Sequence, residues 1–439
     1  MPKKYHIAVK TTPPRFNPVG KYATVEFREN CAGSCRDCVK KKCVYDIFKN
    51  NYNYVSRMKE PEYCYTCESC FRCVQECTKG IFSRVINPEY RTLGDGYFNP
   101  DVVHRTWYQA HTGKIPVSGA GYRGPFVGPG FDSMWTDMSE IVRPTRDGIH
   151  GREYINTCIE LSRRVTRLRF KEDMTIDMEL PPILEVPIPI LFQRPEFGVF
   201  NEKVLIAMAL AANVLGTMMF VKPEDCTGVL ASYAANLIPC LSRATYGRHT
   251  GLIGKSRMVE LAYEAGIEET MADLRAMKPD LILSIGIPLD EKAAGRAVEL
   301  ALADADTLHF YADNHGNERT SNSPRFLKEL IREIHLTLVE KSVRQKVKLI
   351  FTGGIAMAEH VAKSIICGAD GVTADTALLI ALECRVCYRC TKGEPCPVRL
   401  DDFDPFWGRR RITNLIAAWR NQLIEVMGAM GIREMRRLR

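Results

Sequence analysis

The stretch KLIFTGGIAMAEHVAKSIICGADGVTADTALLIA, residues 348–381, decides the fold. An apolar run over 348–352 breaks at Gly353-Gly354-Ile355 and passes into an amphipathic helix over 358–366. A second run, 371–374, breaks at Asp375-Thr376 into another helix. Short, continuous apolar strands alternating with helices read as parallel strands covered on both faces.

The same alternation extends upstream. Strands are expected over 186–192, 217–221, 237–241, 258–262, 281–287 and 307–312, with helices over 202–214, 291–301 and 323–339. Eight such units imply a closed α/β barrel of (β/α)8 type, whose functional face is the set of loops after the strand ends. Those loops supply the candidate polar residues Gln193, Arg194, Lys222, Arg243, Asp313 and His315. His315 could exchange a proton with a substrate, and Lys222 or Arg243 could hold a carboxylate or a reduced cofactor. Gly353, Gly354 and Ile355 after the seventh strand, and Ala374, Asp375 and Thr376 after the eighth, are placed to meet a phosphate at two helix starts.

Cysteine spacing carries the second signal. Twelve of 17 cysteines fall in three runs: Cys31, Cys35, Cys38 and Cys43; Cys67, Cys70, Cys73 and Cys77; and Cys384, Cys387, Cys390 and Cys396, the last followed by Pro397. Three thiolates in close succession with a fourth farther along suit a cubic iron–sulfur cluster, whereas structural zinc more often uses two separated pairs. Three [4Fe–4S] clusters are therefore expected. CVYDIF after Cys38 and CTKGIF after Cys73 repeat internally in the manner of a two-cluster ferredoxin. Cys64 is a ninth N-terminal cysteine with no assigned place. The isolated Cys158, Cys226, Cys240 and Cys367 are expected as small buried residues.

Composition narrows the classes. The 439 residues, 46% hydrophobic, can bury one large core and a small extra domain. The formal charge of +8 falls to about +2 once three clusters, each contributing about −2, are counted, so nucleic-acid binding is not expected. The apolar stretch 204–221 approaches a membrane span in length, but Asn213, Gly216 and Thr217 interrupt it, and a helix followed by a buried strand is expected instead. The Met-Pro-Lys-Lys-Tyr-His start has no apolar stretch behind it, and a cytoplasmic location is expected. Four segments follow: 1–89, a two-cluster ferredoxin-like domain; 90–182, an irregular Gly/Pro-rich connection; 183–383, the barrel; and 384–439, the C-terminal cluster loop and helices.

Residues 349–398, from LIFTGGIAMAEH to the run ending Cys396-Pro397-Val398, resemble the flavin-and-cluster segment of the glutamate synthase family. WYQAHTGKIPVSGAGYR (107–123) and WRNQLIEVMGAMGIREMRRLR (419–439) resemble its flanks more loosely, and the cysteine block ahead of the barrel resembles the archaeal-type arrangement. The resemblance implies FMN on the barrel, near Gln193 and the two glycine-rich helix starts, with the C-terminal cluster close enough to exchange electrons with it. It also implies [3Fe–4S] as the alternative for that cluster. It departs at KPEDCTG (222–228), LAYEAGIEE (261–269) and ADNHGNE (312–318), where the family's glycine-rich and lysine-bearing substrate loops are missing. Asp375 also stands where the family has a glycine beside the phosphate. The expectation is an iron–sulfur flavoprotein oxidoreductase working as a redox subunit of a larger complex, with partner subunits or a ferredoxin or NAD(P)H oxidoreductase beside it. The alternatives are a genuine glutamate synthase, joining 2-oxoglutarate and ammonia, and a flavin-less electron-transfer or scaffold subunit.

Overall fold

The computed structural model describes residues 5–16, 19–26, 35, 71–115, 128, 130–134, 155–165, 168–178, 180–228 and 230–439. Eight parallel strands close into a barrel: β1 (Ile190–Phe192), β2 (Met219–Val221), β3 (Leu237–Leu241), β4 (Met258–Ala262), β5 (Ile282–Pro288), β6 (Thr307–Tyr311), β7 (Lys348–Thr352) and β8 (Gly371–Ala374). They pair in chain order, and β8 returns to β1 through Val372 opposite Ile190 and Ala374 opposite Phe192. All eight expected strands are present, including β4.

One boundary differs. The expected first strand splits in two, because Glu185–Val186 pairs antiparallel with Ile159–Glu160 outside the barrel. Pro187 and Pro189 offer no N–H to a ladder, so the barrel strand begins only at Ile190.

Helices fill the crossovers. The longest apolar stretch resolves as α2 (Glu202–Leu215) followed by β2. Asn201 starts the helix by accepting the Val204 N–H at 3.0 Å, and Gly216, at φ 65°, ends it. No helix among the described residues is long and apolar enough to cross a membrane. Around the barrel follow α3 (Ile267–Met277), α4 (Ala293–Leu302), α5 (Leu327–Glu340), α6 (Ala358–Cys367) and α7 (Thr376–Ala381). α5 begins later than expected: Pro324 precedes it, and Glu329 accepts the Phe326 N–H at 3.0 Å to set the start.

The final helix, α8 (Pro405–Ala429), packs on α2, α6 and on α1 (Pro100–Thr112) ahead of the barrel. Its buried Asn414 fastens three segments. The side-chain amide donates to the carbonyls of Lys10 (2.8 Å), Ala110 (3.0 Å) and His111 (3.3 Å), and its oxygen accepts the Lys10 N–H (3.2 Å). Just before β8, buried Asp370 accepts from Arg344 (2.8 Å), Arg439 (2.5 Å) and the Leu349 N–H (2.9 Å). Burial alone would raise this carboxyl, but Arg344, Arg439 and Lys348 outweigh it and hold it at about 2.

A separate antiparallel ribbon pairs Tyr22–Glu26 with Phe82–Ile86. The chain between its strands carries both N-terminal cysteine runs. Of those cysteines only Cys35, Cys73 and Cys77 are described; Cys31, Cys38, Cys43, Cys64, Cys67 and Cys70 lie outside the described residues.

Candidate functional site

A cavity of roughly 790 Å³ opens at the C-terminal ends of the strands. Gln193, Arg194, Lys222, Asp313, Gly353 and Asp375 all line it, as their places after β1, β2, β6, β7 and β8 require. Ile355, Ala374 and Thr376 sit fully buried behind the wall, and Gly354 packs on Gly316.

Two expected residues stand elsewhere. Arg243 leaves the mouth to donate to the Ala265 carbonyl (3.1 Å) and the Glu269 carboxylate (2.7 Å), because the loop after β3 runs toward the start of α3. His315 turns away from the cavity onto Asp95, with Nε2 and Oδ2 2.9 Å apart, and packs beside the rings of Tyr97 and Phe98.

The cavity floor is a hydrogen-bonded network that sequence reading did not anticipate. Glu260 of β4 is 3% exposed and lies at its centre. His309 Nδ1 (2.7 Å) and Ser284 Oγ (3.1 Å) donate to its Oε2, while the Tyr311 hydroxyl and the Cys240 thiol donate to Oε1. Beyond His309, Thr352 Oγ1 lies 2.5 Å from Nε2 and 2.6 Å from Thr373 Oγ1. Six strands, β3 to β8, thus contribute to one polar chain inside the barrel. Burial, with Glu260 beside them, pushes both the Tyr311 hydroxyl and the Cys240 thiol well above their ordinary values, so both stay protonated. Cys240 is therefore part of the floor, unlike Cys226 and Cys367, which are simply buried. The available sequence signal is polar residues placed at alternate positions in otherwise apolar strands, as Thr307, His309 and Tyr311 are in β6, with Glu260 the lone charged residue of β4.

The charge of the lining is unbalanced. Glu196, Glu224, Asp225, Glu260, Asp313 and Asp375 face three cations, Arg194, Lys222 and Arg319. Two of those cations have other duties. Arg319 donates to Glu196 and to the carbonyls of Tyr311 and Ala312, both at 3.1 Å, and Arg194 lies 4.5 Å over the Phe200 ring.

The expected phosphate subsite can be tested against its own donors. The Gly354 N–H is spent on the Asn314 carbonyl (3.2 Å), and the Ala356 N–H on His360 Nδ1 (3.2 Å). The Thr376 N–H at the start of α7 is taken by Asp375 Oδ1 at 2.5 Å. A helix N-terminus that already holds a carboxylate has little left for a phosphate. Gly353, at φ 100°, is required for a different reason: an added Cβ would lie 2.2 Å from the Asp313 carbonyl, so the paired glycines serve close backbone packing. Burial pushes the Asp375 carboxyl up to about 7. The cavity has room for a flavin ring, and Gln193 Oε1 is a buried acceptor with no partner among the described residues, but the phosphate end does not fit FMN.

Behind the mouth lies the C-terminal cysteine loop. Cys384 is buried, and burial, with the charges of Cys396, Cys387 and Cys390 adding to it, raises its thiol to about 12. The Val386 N–H points at Cys384 Sγ (3.4 Å). Glu383, Val386 and Tyr388 all adopt left-handed backbone (φ 78°, 52° and 53°), a costly state for a β-branched valine. Among the described residues, no group of three His, Cys, Asp or Glu is drawn close enough to hold a metal ion directly. The donor chemistry nevertheless suits a cluster: four thiols, mutually repulsive as thiolates, with a backbone N–H aimed at sulfur. Tyr388, inside this loop, donates to Asp95 (2.6 Å) and packs 4.6 Å from the Phe197 ring of the loop after β1.

Residues 320–433 match the conserved region in glutamate synthase. The archaeal-type glutamate synthase [NADPH] of Dehalococcoides mccartyi is 23% identical over 434 residues, covering 85% of each chain. The archaeal glutamate synthase [NADPH] of Archaeoglobus fulgidus is 23% identical over 487 residues, covering 94% of this chain and 92% of the relative. Among solved structures, a flavocytochrome b2 variant with sulfite bound aligns at TM-score 0.43 and 13% identity, over 69% of this chain and 78% of that one. This chain carries the conserved region of glutamate synthase at residues 320–433 and is, over most of its length, a distant relative of the archaeal-type glutamate synthases.

Proposed function

We propose that the protein is an iron–sulfur oxidoreductase subunit that relays electrons through cysteine-held clusters within a larger complex, rather than an enzyme that aminates 2-oxoglutarate. The spacing of Cys384, Cys387, Cys390 and Cys396, set on a loop with left-handed Glu383, Val386 and Tyr388, carries this reading. These four would hold one cluster, and its chemistry would be the transfer of single electrons. Cys35, Cys73 and Cys77, with the N-terminal cysteines outside the described residues, would hold two more. The route between the blocks is short in sequence: the chain leaving the second run reaches Gly94, whose N–H donates to the Arg385 carbonyl beside Cys384 (2.9 Å).

The chain's own residues support the rest. A dicarboxylate would enter a cavity lined by five carboxylates and the partly protonated Asp375 against three cations, which is electrostatically unfavourable. The arm joining Phe170 to Ile176 exposes Leu168, Phe170, Met174, Ile176, Leu180 and Ile183, an apolar surface suited to a partner subunit. A second reading keeps a flavin in the cavity, favoured by the volume and by the orphaned Gln193 Oε1 but without a phosphate cradle.

Anaerobic purification followed by iron, sulfide and flavin analysis tests the proposal. About twelve irons per chain are expected, falling by about four in Cys384→Ala. Iron near zero, or unchanged by that substitution, sinks the cluster assignment. One FMN per chain would favour the second reading.

A further inference from the structure

We infer that the barrel cavity is a binding site for a small, non-phosphorylated ligand that is cationic and rich in N–H groups, such as an alkylamine or a guanidine, seated between Tyr311, Glu260 and Gln193. The inference concerns the barrel alone and does not depend on the cysteines.

Three independent observations converge on this ligand class. The first is charge. Arg319 and Glu196 offset one another, Arg194 is laid on a phenyl ring and Lys222 is exposed at the rim, so Glu224, Asp225, Glu260, Asp313 and Asp375 remain against two cations. A cation entering the cavity finds more attraction than any anion would.

The second is the direction of the hydrogen bonds. Tyr311 spends its only proton on Glu260, so its oxygen meets the cavity as an acceptor. Gln193 Oε1 is buried at the same wall with no donor among the described residues. Both oxygens call for ligand N–H groups, and at Tyr311 a carboxylate or phosphate oxygen would meet lone pairs.

The third is the occupied anion position. Asp375 Oδ1 already takes the Thr376 N–H at the start of α7, and the Gly354 and Ala356 N–H groups are bonded within the protein. Three of the N–H groups a phosphate would meet there are thus taken by the chain itself.

Beneath the ligand, His309, Ser284 and Cys240 fix the Glu260 carboxylate, and through it the Tyr311 ring. Glu260 supplies negative charge at close range without needing an open coordination position of its own. Tyr311 and Gln193 would make the contacts, and Glu260 would act as their positioning and charge-supplying residue.

The test uses the full-length protein purified with whatever clusters it holds. Agmatine, which carries both an amine and a guanidinium, is titrated by ligand-observed NMR in parallel with 2-oxoglutarate and inorganic phosphate. Saturable agmatine binding is expected, weakened at least tenfold in Glu260→Gln, with no saturation by either anion. Because Glu260 also knits the floor together, Gln193→Leu at the mouth serves as the second variant, and severalfold weakening is expected there. Absence of saturable agmatine binding overturns the inference. So does agmatine binding unchanged in both variants, or saturation by 2-oxoglutarate or phosphate that agmatine displaces. A preparation without iron would sink the electron-relay reading yet leave this titration unaffected, so the two can fail separately.

Discussion

Tyr388, set between Cys387 and Cys390, donates its hydroxyl to the same Asp95 oxygen that His315 engages, at 2.6 and 2.9 Å. One carboxylate therefore joins the C-terminal cysteine loop to the loop after β6. Asp95 also accepts the Tyr97 and Phe98 N–H groups through Oδ1 (2.8 and 2.7 Å), so it is fixed as well as shared. Tyr388→Phe is expected to cost about 1.5–3 kcal/mol, the worth of a hydrogen bond to a charged group. Denaturant unfolding checks the magnitude. Hydrogen exchange should show faster opening of both 313–316 and 385–393, and protection lost in only one of them would mean that Asp95 does not couple the loops.

Asp375 gives a pH dependence of defined sign. Its carboxyl is raised to about 7 in the folded protein, against about 3.9 when unfolded. Between those values the folded chain keeps a proton that the unfolded chain has lost, so stability falls as pH rises through this window and levels off above it. Asp375→Asn keeps a cap oxygen for Thr376 and removes the titration. The variant should match the wild type at pH 4 and melt higher at pH 8, by thermal unfolding across that range.

Asp370 has the opposite sign. Held at about 2 by its arginines, it contributes stability that is fully present above its unfolded value and lost as pH falls toward 2. Asp370→Asn leaves Arg344 buried without its carboxylate and is expected to cost about 3–5 kcal/mol at neutral pH. Urea unfolding at pH 7 measures this, and the gap from wild type should narrow on acidification.

Asn414→Leu breaks the fastening of the 10–12 segment to α1 and α8. Backbone groups of Lys10, Ala110 and His111 lose their buried partner, with an expected cost of about 2–4 kcal/mol. Limited proteolysis should then cut near residue 10 before the barrel. Uniform resistance would place the strength of that junction elsewhere, with Arg411 and its bond to the Thr12 carbonyl the next candidate.

Much of the barrel was legible because its causes are local. Apolar runs of four to seven residues bounded by glycine, proline or aspartate make strands whatever lies beside them, and the residue after each strand must face the mouth. Hence Gln193, Lys222, Gly353 and Asp375 could be named as lining residues from their positions alone. Where a local rule was overlooked the boundary moved, as at Pro187 and Pro189.

Sequence by itself determined the repeating strand–helix order, the cysteine spacing and the start of α7 on Asp375, since each depends on backbone preference or side-chain period within a few residues. Tertiary structure alone decided which distant side chains meet. Glu260 and His309 are 49 residues apart, and Asp95 and Tyr388 are 293 apart. Barrel closure fixes the first pair, and the packing of the 94–98 turn on the cysteine loop fixes the second. No local pattern encodes either, because a buried carboxylate's partner is chosen by whichever donor the closed fold brings within hydrogen-bonding distance.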